Sequence, residues 1–293
     1  MFLQQFANAL ALGSVYALFA IGFTLIFGVL EIITLAHGTI FMVGAFAGLL
    51  AVTKLHLGLG PAILTAMLAA GTLGWVIDLV AVRPLRKRSF HHLAPMIATI
   101  GCATFITSIA QGLFGAEAYR FPFDFVPATS YTLGPVQLTL LQLIIIAISF
   151  AFMVIIIVLL HKTKWGKAVR AVAENRRTAA LLGIPVDRVY QITSFTAGAL
   201  GGAAGILTGI NFNTIHAFMG GPMLHRGIAV VILGGMGDIR GALLGGLILG
   251  FSEIMSVAYI SSDFRDAVSF GLLFLILLLK PAGIFGRTGE RKV

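Results

Sequence analysis

Residues 138–160 contain no charged side chain and are apolar at almost every position. A bilayer's hydrocarbon core takes about 20 residues of α-helix to cross, and a run of this kind has that length. In lipid every backbone amide must be satisfied within the protein, so a chain built from such runs folds as a helical bundle. Segments 6–28, 61–82, 93–114, 192–210 and 242–259 repeat the pattern, with shorter versions at 40–52 and 267–279. Soluble domains are about a quarter charged; this chain of 293 residues is 11% charged and 58% hydrophobic, with a mean hydropathy of +1.01. The expected fold is all-α: a polytopic helical membrane protein, one transmembrane domain over residues 1–293, with about eight transmembrane helices.

A ninth segment does not fit that series. Residues 227–233 are apolar but too short to span, and GGMGDIRG (234–241) follows at once. Helices broken by glycine are tolerated at membrane depth only where protein or a water-filled cavity covers them, and in transporters they border the solute route. A short broken or re-entrant piece beside a translocation path is therefore expected, with Gly234, Gly235 and Gly237 offering backbone to it. The competing reading is a tight turn at the inner surface, with Asp238 and Arg240 solvated.

The charges orient the bundle. The chain carries 20 Lys and Arg against 11 Asp and Glu, a net charge of +9. With the N-terminus outside, only Lys54, Arg120, Arg226 and Arg265 fall in outer loops, and the remaining basic residues face the cytoplasm. Positive loops stay inside, so the C-terminus is also expected there. On this topology 115–137 is a periplasmic loop, and the N-terminal run, lacking a basic start, is a retained span. The basic residues flank spans without interleaved aromatics, which argues against nucleic acid. Cys102, the single cysteine, can form no internal disulfide and reads as a small buried hydrophobe.

The longest polar interval is 161–190, which is expected to be a cytoplasmic loop. Lys162, Lys164, Lys167, Arg170, Arg176, Arg177 and Arg188 face only Glu174 and Asp187 there. Residues 167–182 read as one helix, stopped by Gly183 and kept from resuming by Pro185. Either the charge only sets orientation, or the helix docks a cytoplasmic partner.

Motifs for other chemistry are missing. Gly166-Lys167 lacks the spacing of a phosphate-binding loop and has Ala168 where a hydroxyl should hold magnesium. ATP coupling, if any, must come from another polypeptide. Among the ionisable residues near spans, Asp78 is expected to pair near Arg83. Glu253 either faces a polar path or reaches the outer interface. Glu31 and His37 are expected at an interface, and His91-His92 on a solvated turn. Glycines four apart (Gly198, Gly202; Gly201, Gly205, Gly209; Gly241, Gly245; Gly246, Gly250) mark helix interfaces, static or sliding.

In order along the chain, several motifs resemble the LivH-type permeases of the branched-chain (hydrophobic) amino acid ABC importers. They are NALALGSVYALFAIGFTLIFG (8–28), Leu35-Ala36-His37-Gly38, Val82-Arg83-Pro84-Leu85-Arg86, Glu174-Asn175 to Ile184 with Asp187-Arg188-Val189, VILGGMGDIRGALLGG (231–246) and Lys280 to Gly286. The chain departs from many relatives at Thr34-Leu35 and at Thr39. The resemblance implies an ABC-importer permease fold and a path formed with a second, homologous permease subunit. It also implies a periplasmic binding protein and two ATPase subunits carrying the ATP and magnesium, with no cofactor in this chain. On that reading Arg170, Glu174, Asn175, Ala179, Ala180, Gly183 and Ile184 form the surface coupled to the ATPases, while Gly234, Gly235, Gly237 and Glu253 border the path. Alternatives are import of urea, short amides or another small solute on the same architecture, a stand-alone channel or ion-driven carrier, and, more remotely, a membrane enzyme.

Overall fold

The computed structural model describes residues 2–30, 32–87, 93–122, 125, 129–133 and 136–286. Glu31, Arg88 and His91-His92 lie outside them. The chain opens with α1 (Phe2–Leu30), whose central residues from Ala11 to Ile26 are all buried. This helix packs most against α11 (Ile239–Tyr259) and α9 (Val186–Phe212), and α9 in turn packs against α2 (His37–Thr53) and α3 (Leu59–Ile77). A π-helical turn (Asp78–Val82) and α4 (Arg83–Lys87) prolong α3 into one span, Leu59–Arg86. The helices α5 (Leu93–Phe114) and α6 (Leu140–Lys162) lie outermost and bury few of their apolar side chains fully.

Small residues let the inner helices touch. A β-carbon added to Gly202 of α9 would sit 2.5 Å from the Ala66 carbonyl of α3, and one on Gly198 would sit 2.6 Å from that of Ala70. Bulkier residues would drive these backbones apart, the constraint that small residues four apart satisfy. The same device joins α1 to α11 (Ile239–Tyr259), where Gly250 meets Gly13.

Several sequence expectations need correction. Residues 227–233 are not an isolated fragment: they belong to α10 (Gly220–Gly234), 15 residues long, which starts upstream through a Gly-Gly-Pro turn. Proline is acceptable there because the first turn's amides have no partner inside the helix. Two strands, β1 (Ser130–Leu133) and β2 (Val136–Thr139), pair antiparallel between α5 and α6. A capping box of Thr139 and Gln142 delays the start of α6 to Leu140. The single helix expected over 167–182 is two, α7 (Lys164–Glu174) and α8 (Arg176–Leu181), because Asn175 is extended and its side chain caps α8 by accepting from the Thr178 amide at 2.9 Å.

Six helices are long and apolar enough to span among the described residues. The shorter α2, α10 and α12 (Arg265–Leu279) complete the bundle.

Candidate functional site

The basic loop 161–190 is built on two caps. Thr163 accepts from the Gly166 amide at 3.1 Å and starts α7, whose Gly166, Val169 and Val172 point into the bundle. Arg170 donates to the Leu160 carbonyl at 2.6 Å and so satisfies the open end of α6. At the far end of α8, Gly183 takes φ +80°. Its amide meets the Ala180 carbonyl at 3.0 Å, and that of Ile184 meets Ala179 at 3.1 Å. This paired closure needs a left-handed residue, which is why glycine stands there.

The loop thereby holds its surface in one shape. Glu174, Asn175, Ala180 and Gly183 are exposed, Ile184 is half-buried, and Ala179 faces inward. Sequence reading missed Leu181 and Leu182, which are 84% and 76% exposed at the tip, beside Arg176 and Arg177. Two adjacent exposed leucines on a basic turn are an apolar contact without a partner among the described residues.

Behind the tip opens a groove of about 1260 Å³, lined by Arg83, Arg86, Glu174, Arg176 and Asp187 among others. Arg86 organises its wall. It reaches Asp78 at 3.2 Å and Asp187 at 3.3 Å, and stacks 4.1 Å over Tyr190. Arg83 adds a 3.1 Å bond to Asp187. Asp78 thus pairs with Arg86, one helical turn beyond the arginine expected, and the cluster locks α3 and α4 to the start of α9.

The second place is the α10–α11 hairpin. Gly235 (φ +106°) and Gly237 (φ +91°) make the turn, and the backbones of Gly234 and Gly241 meet directly. The carbonyls of Leu233 and Gly234 accept from the amides of Ile284 and Phe285 at 2.9 and 3.0 Å. The turn sits beside Gly28, at the end of α1 that borders the groove. The C-terminal segment therefore satisfies those two carbonyls.

Glu253 is fully buried and lies at the centre of a polar cluster. Tyr16 donates to it at 2.8 Å, Arg226 at 2.8 Å, Arg265 at 2.7 Å and Ser269 at 2.9 Å. Sequence reading assigned both arginines to outer loops, yet they reach into the bundle from α10 and α12. A carboxylate in mid-span needs a cation, and that need was the available signal. His37, expected at an interface, is also fully buried: it lies against Phe19 and Phe23, with Gly22 and Gly201 leaving room for its ring.

An all-helical bundle of spans with a capped, basic loop and a charged cluster inside defines a membrane permease. Residues 5–277 match the family model described as the branched-chain amino acid transport system permease component. The chain is 34% identical to the high-affinity branched-chain amino acid transport system permease protein LivH of Salmonella typhimurium, covering 100% of this chain and 98% of that one. LivH of Escherichia coli K12 is similar at the same identity and coverage, and BraD of Pseudomonas aeruginosa is 33% identical over the same shares. The chain belongs to the family of branched-chain amino acid ABC transport permeases. It is a multi-pass membrane component of such a system and not its enzyme.

Proposed function

We propose that this chain is the permease subunit of an ATP-driven importer that moves branched-chain or other hydrophobic amino acids across the bacterial inner membrane by alternating access. It works as a single permease domain over residues 1–293, with a second, homologous permease, two ATP-binding subunits and a periplasmic binding protein. The N-terminus lies outside and the C-terminus in the cytoplasm, as the concentration of basic residues in inner loops favours. ATP and magnesium belong to the partner subunits.

The observation that carries this reading is the tip of α8. Its exposed Leu181 and Leu182, fixed by the Gly183 closure and flanked by arginines, offer an apolar anchor with a basic rim. From there Glu174, Asn175, Ala180 and Ile184 extend the contact, while Arg170 and Ala179 hold the loop in shape. Movement of the tip would pass through Arg86 and Asp187 to α3 and α9. We place the path along the Glu253 side of α10 and α11. Its inner end is closed by the turn of Gly234, Gly235 and Gly237 under the C-terminal segment.

A cysteine at Leu182 tests the docking. It should cross-link to the ATPase subunit with a short bifunctional thiol reagent, and the yield should change between nucleotide-free and ATP-bound complexes. An assembled complex with no cross-link in any nucleotide state would refute it.

A further inference from the structure

The Glu253 cluster has one member that its structural role does not explain. Tyr16 lies at the midpoint of α1 (Phe2–Leu30), about 21 Å from each end at 1.5 Å per residue. Glu253, hydrogen-bonded to it, stands six residues, about 9 Å, before the end of α11 (Ile239–Tyr259). Asp266 stands in the first turn of α12, held by Arg226 at 2.7 Å, and its side chain is 72% exposed. A carboxylate facing hydrocarbon is strongly unfavourable, so Asp266 looks onto water or protein. Arg226 and Arg265 are themselves partly open, with side chains 18% and 27% exposed.

The division of bonds is informative. Each arginine gives its Nε to the buried Glu253, which holds both guanidinium planes in place. Arg226 then spends a terminal amine on the exposed Asp266, and Arg265 turns one toward Tyr16 at 3.4 Å. Glu253 alone neutralises one of the two cations, and Asp266 supplies the other negative charge. A planar guanidinium with its base fixed and its fork toward a polar face is suited to a carboxylate.

We propose that Arg226 and Arg265, between the end of α11 and the start of α12, form the station that takes the solute's carboxylate, and that Asp266 occupies it when no solute is present. Solute arriving from outside displaces Asp266 from Arg226, and the return of Asp266 expels it. Glu253 and Ser269 position the arginines and do not touch solute. This deepens the importer reading and rests on it.

The test uses the complete transporter with its binding protein in proteoliposomes, measuring leucine uptake and ATP hydrolysis together. Arg226→Gln should lower leucine moved per ATP at least tenfold while loaded binding protein still stimulates hydrolysis; Arg226→Lys should recover part of the ratio. Uptake and hydrolysis falling together in an assembled Arg226→Gln complex would mark a structural ion pair and overturn the proposal. In Asp266→Asn, 4-methylpentanoate, which has the carboxylate without the ammonium, should inhibit uptake at about tenfold lower concentration than in the wild type. Leucinamide, which lacks the carboxylate, should show no such gain. Equal shifts for both compounds, or none, would overturn the proposal even if Arg226→Gln complexes do not assemble. Wild-type complex that hydrolyses ATP but takes up no leucine would refute the importer reading and this station with it. Normal wild-type uptake with unaltered variants would refute the station alone.

Discussion

Gly183→Val separates folding from coupling at a single residue. Gly183 sits at φ +80°, and a β-carbon built there meets no atom within 4 Å. The substitution therefore creates no clash, and its cost is confined to the backbone. An L-residue in the left-handed region costs about 1–2 kcal/mol, rising toward about 3 kcal/mol for a strained, β-branched one. That energy is enough to open the closure between Gly183 and Ala180 and to release Ile184 from Ala179. It is small beside the packing of nine helices in the bundle, so insertion and assembly should survive. What changes is the presentation of Leu181 and Leu182. Purified Gly183→Val complex should keep its subunit stoichiometry and lose most of the ATP hydrolysis stimulated by loaded binding protein. Gly183→Asn, a residue that tolerates positive φ, should retain most of it. Full stimulation in an assembled Gly183→Val complex would refute the claim that the capped tip transmits coupling.

Further outcomes follow from the clusters and contacts. Glu253→Gln leaves two guanidinium groups facing one neutral amide, and breaking a buried pair costs about 3–5 kcal/mol; thermal inactivation of the complex should move down by several degrees, while Glu253→Asp should lie in between. Arg86→Ala strands Asp78, whose side chain is 2% exposed, and a comparable loss is expected, with Arg86→Lys restoring charge but not the fork to two carboxylates. Gly202→Val would force a methyl-bearing carbon against the Ala66 carbonyl; overpacking of about 1–3 kcal/mol or more should show as reduced assembled protein in the membrane.

Much of the bundle was legible in the sequence because membrane length and charge placement are direct physical constraints. The span at residues 93–114 coincides with α5, and the first span differs from α1 only in a few residues at each end. Hydropathy did not reveal which helices form the core. The most apolar span, α6, lies outermost, while α9, with its glycines, threonines and serines, is largely buried. Lipid selects for apolar surface, whereas helix contacts select for small residues, so hydropathy does not rank burial: α1, second in hydropathy, is the most buried of these spans. The break at Asn175 was readable as a cap but was overridden by the alanine-rich run around it. Glu253 was visible as an anomaly, yet its partners were hidden by distance in the chain: Tyr16 is 237 residues away. The turn at Gly235 needed the C-terminal Ile284 and Phe285 to complete it, and no local pattern shows such a pairing.

The central claim is tested most directly by uptake in a defined system. Proteoliposomes should contain this chain, the second permease and both ATPase subunits, with ATP enclosed and leucine-loaded binding protein outside. Labelled leucine should accumulate inside against its gradient, depend on ATP and on binding protein, and stop when this chain alone is omitted. Accumulation that persists without ATP and without the ATPase subunits would contradict the account and make the chain a channel or an ion-driven carrier.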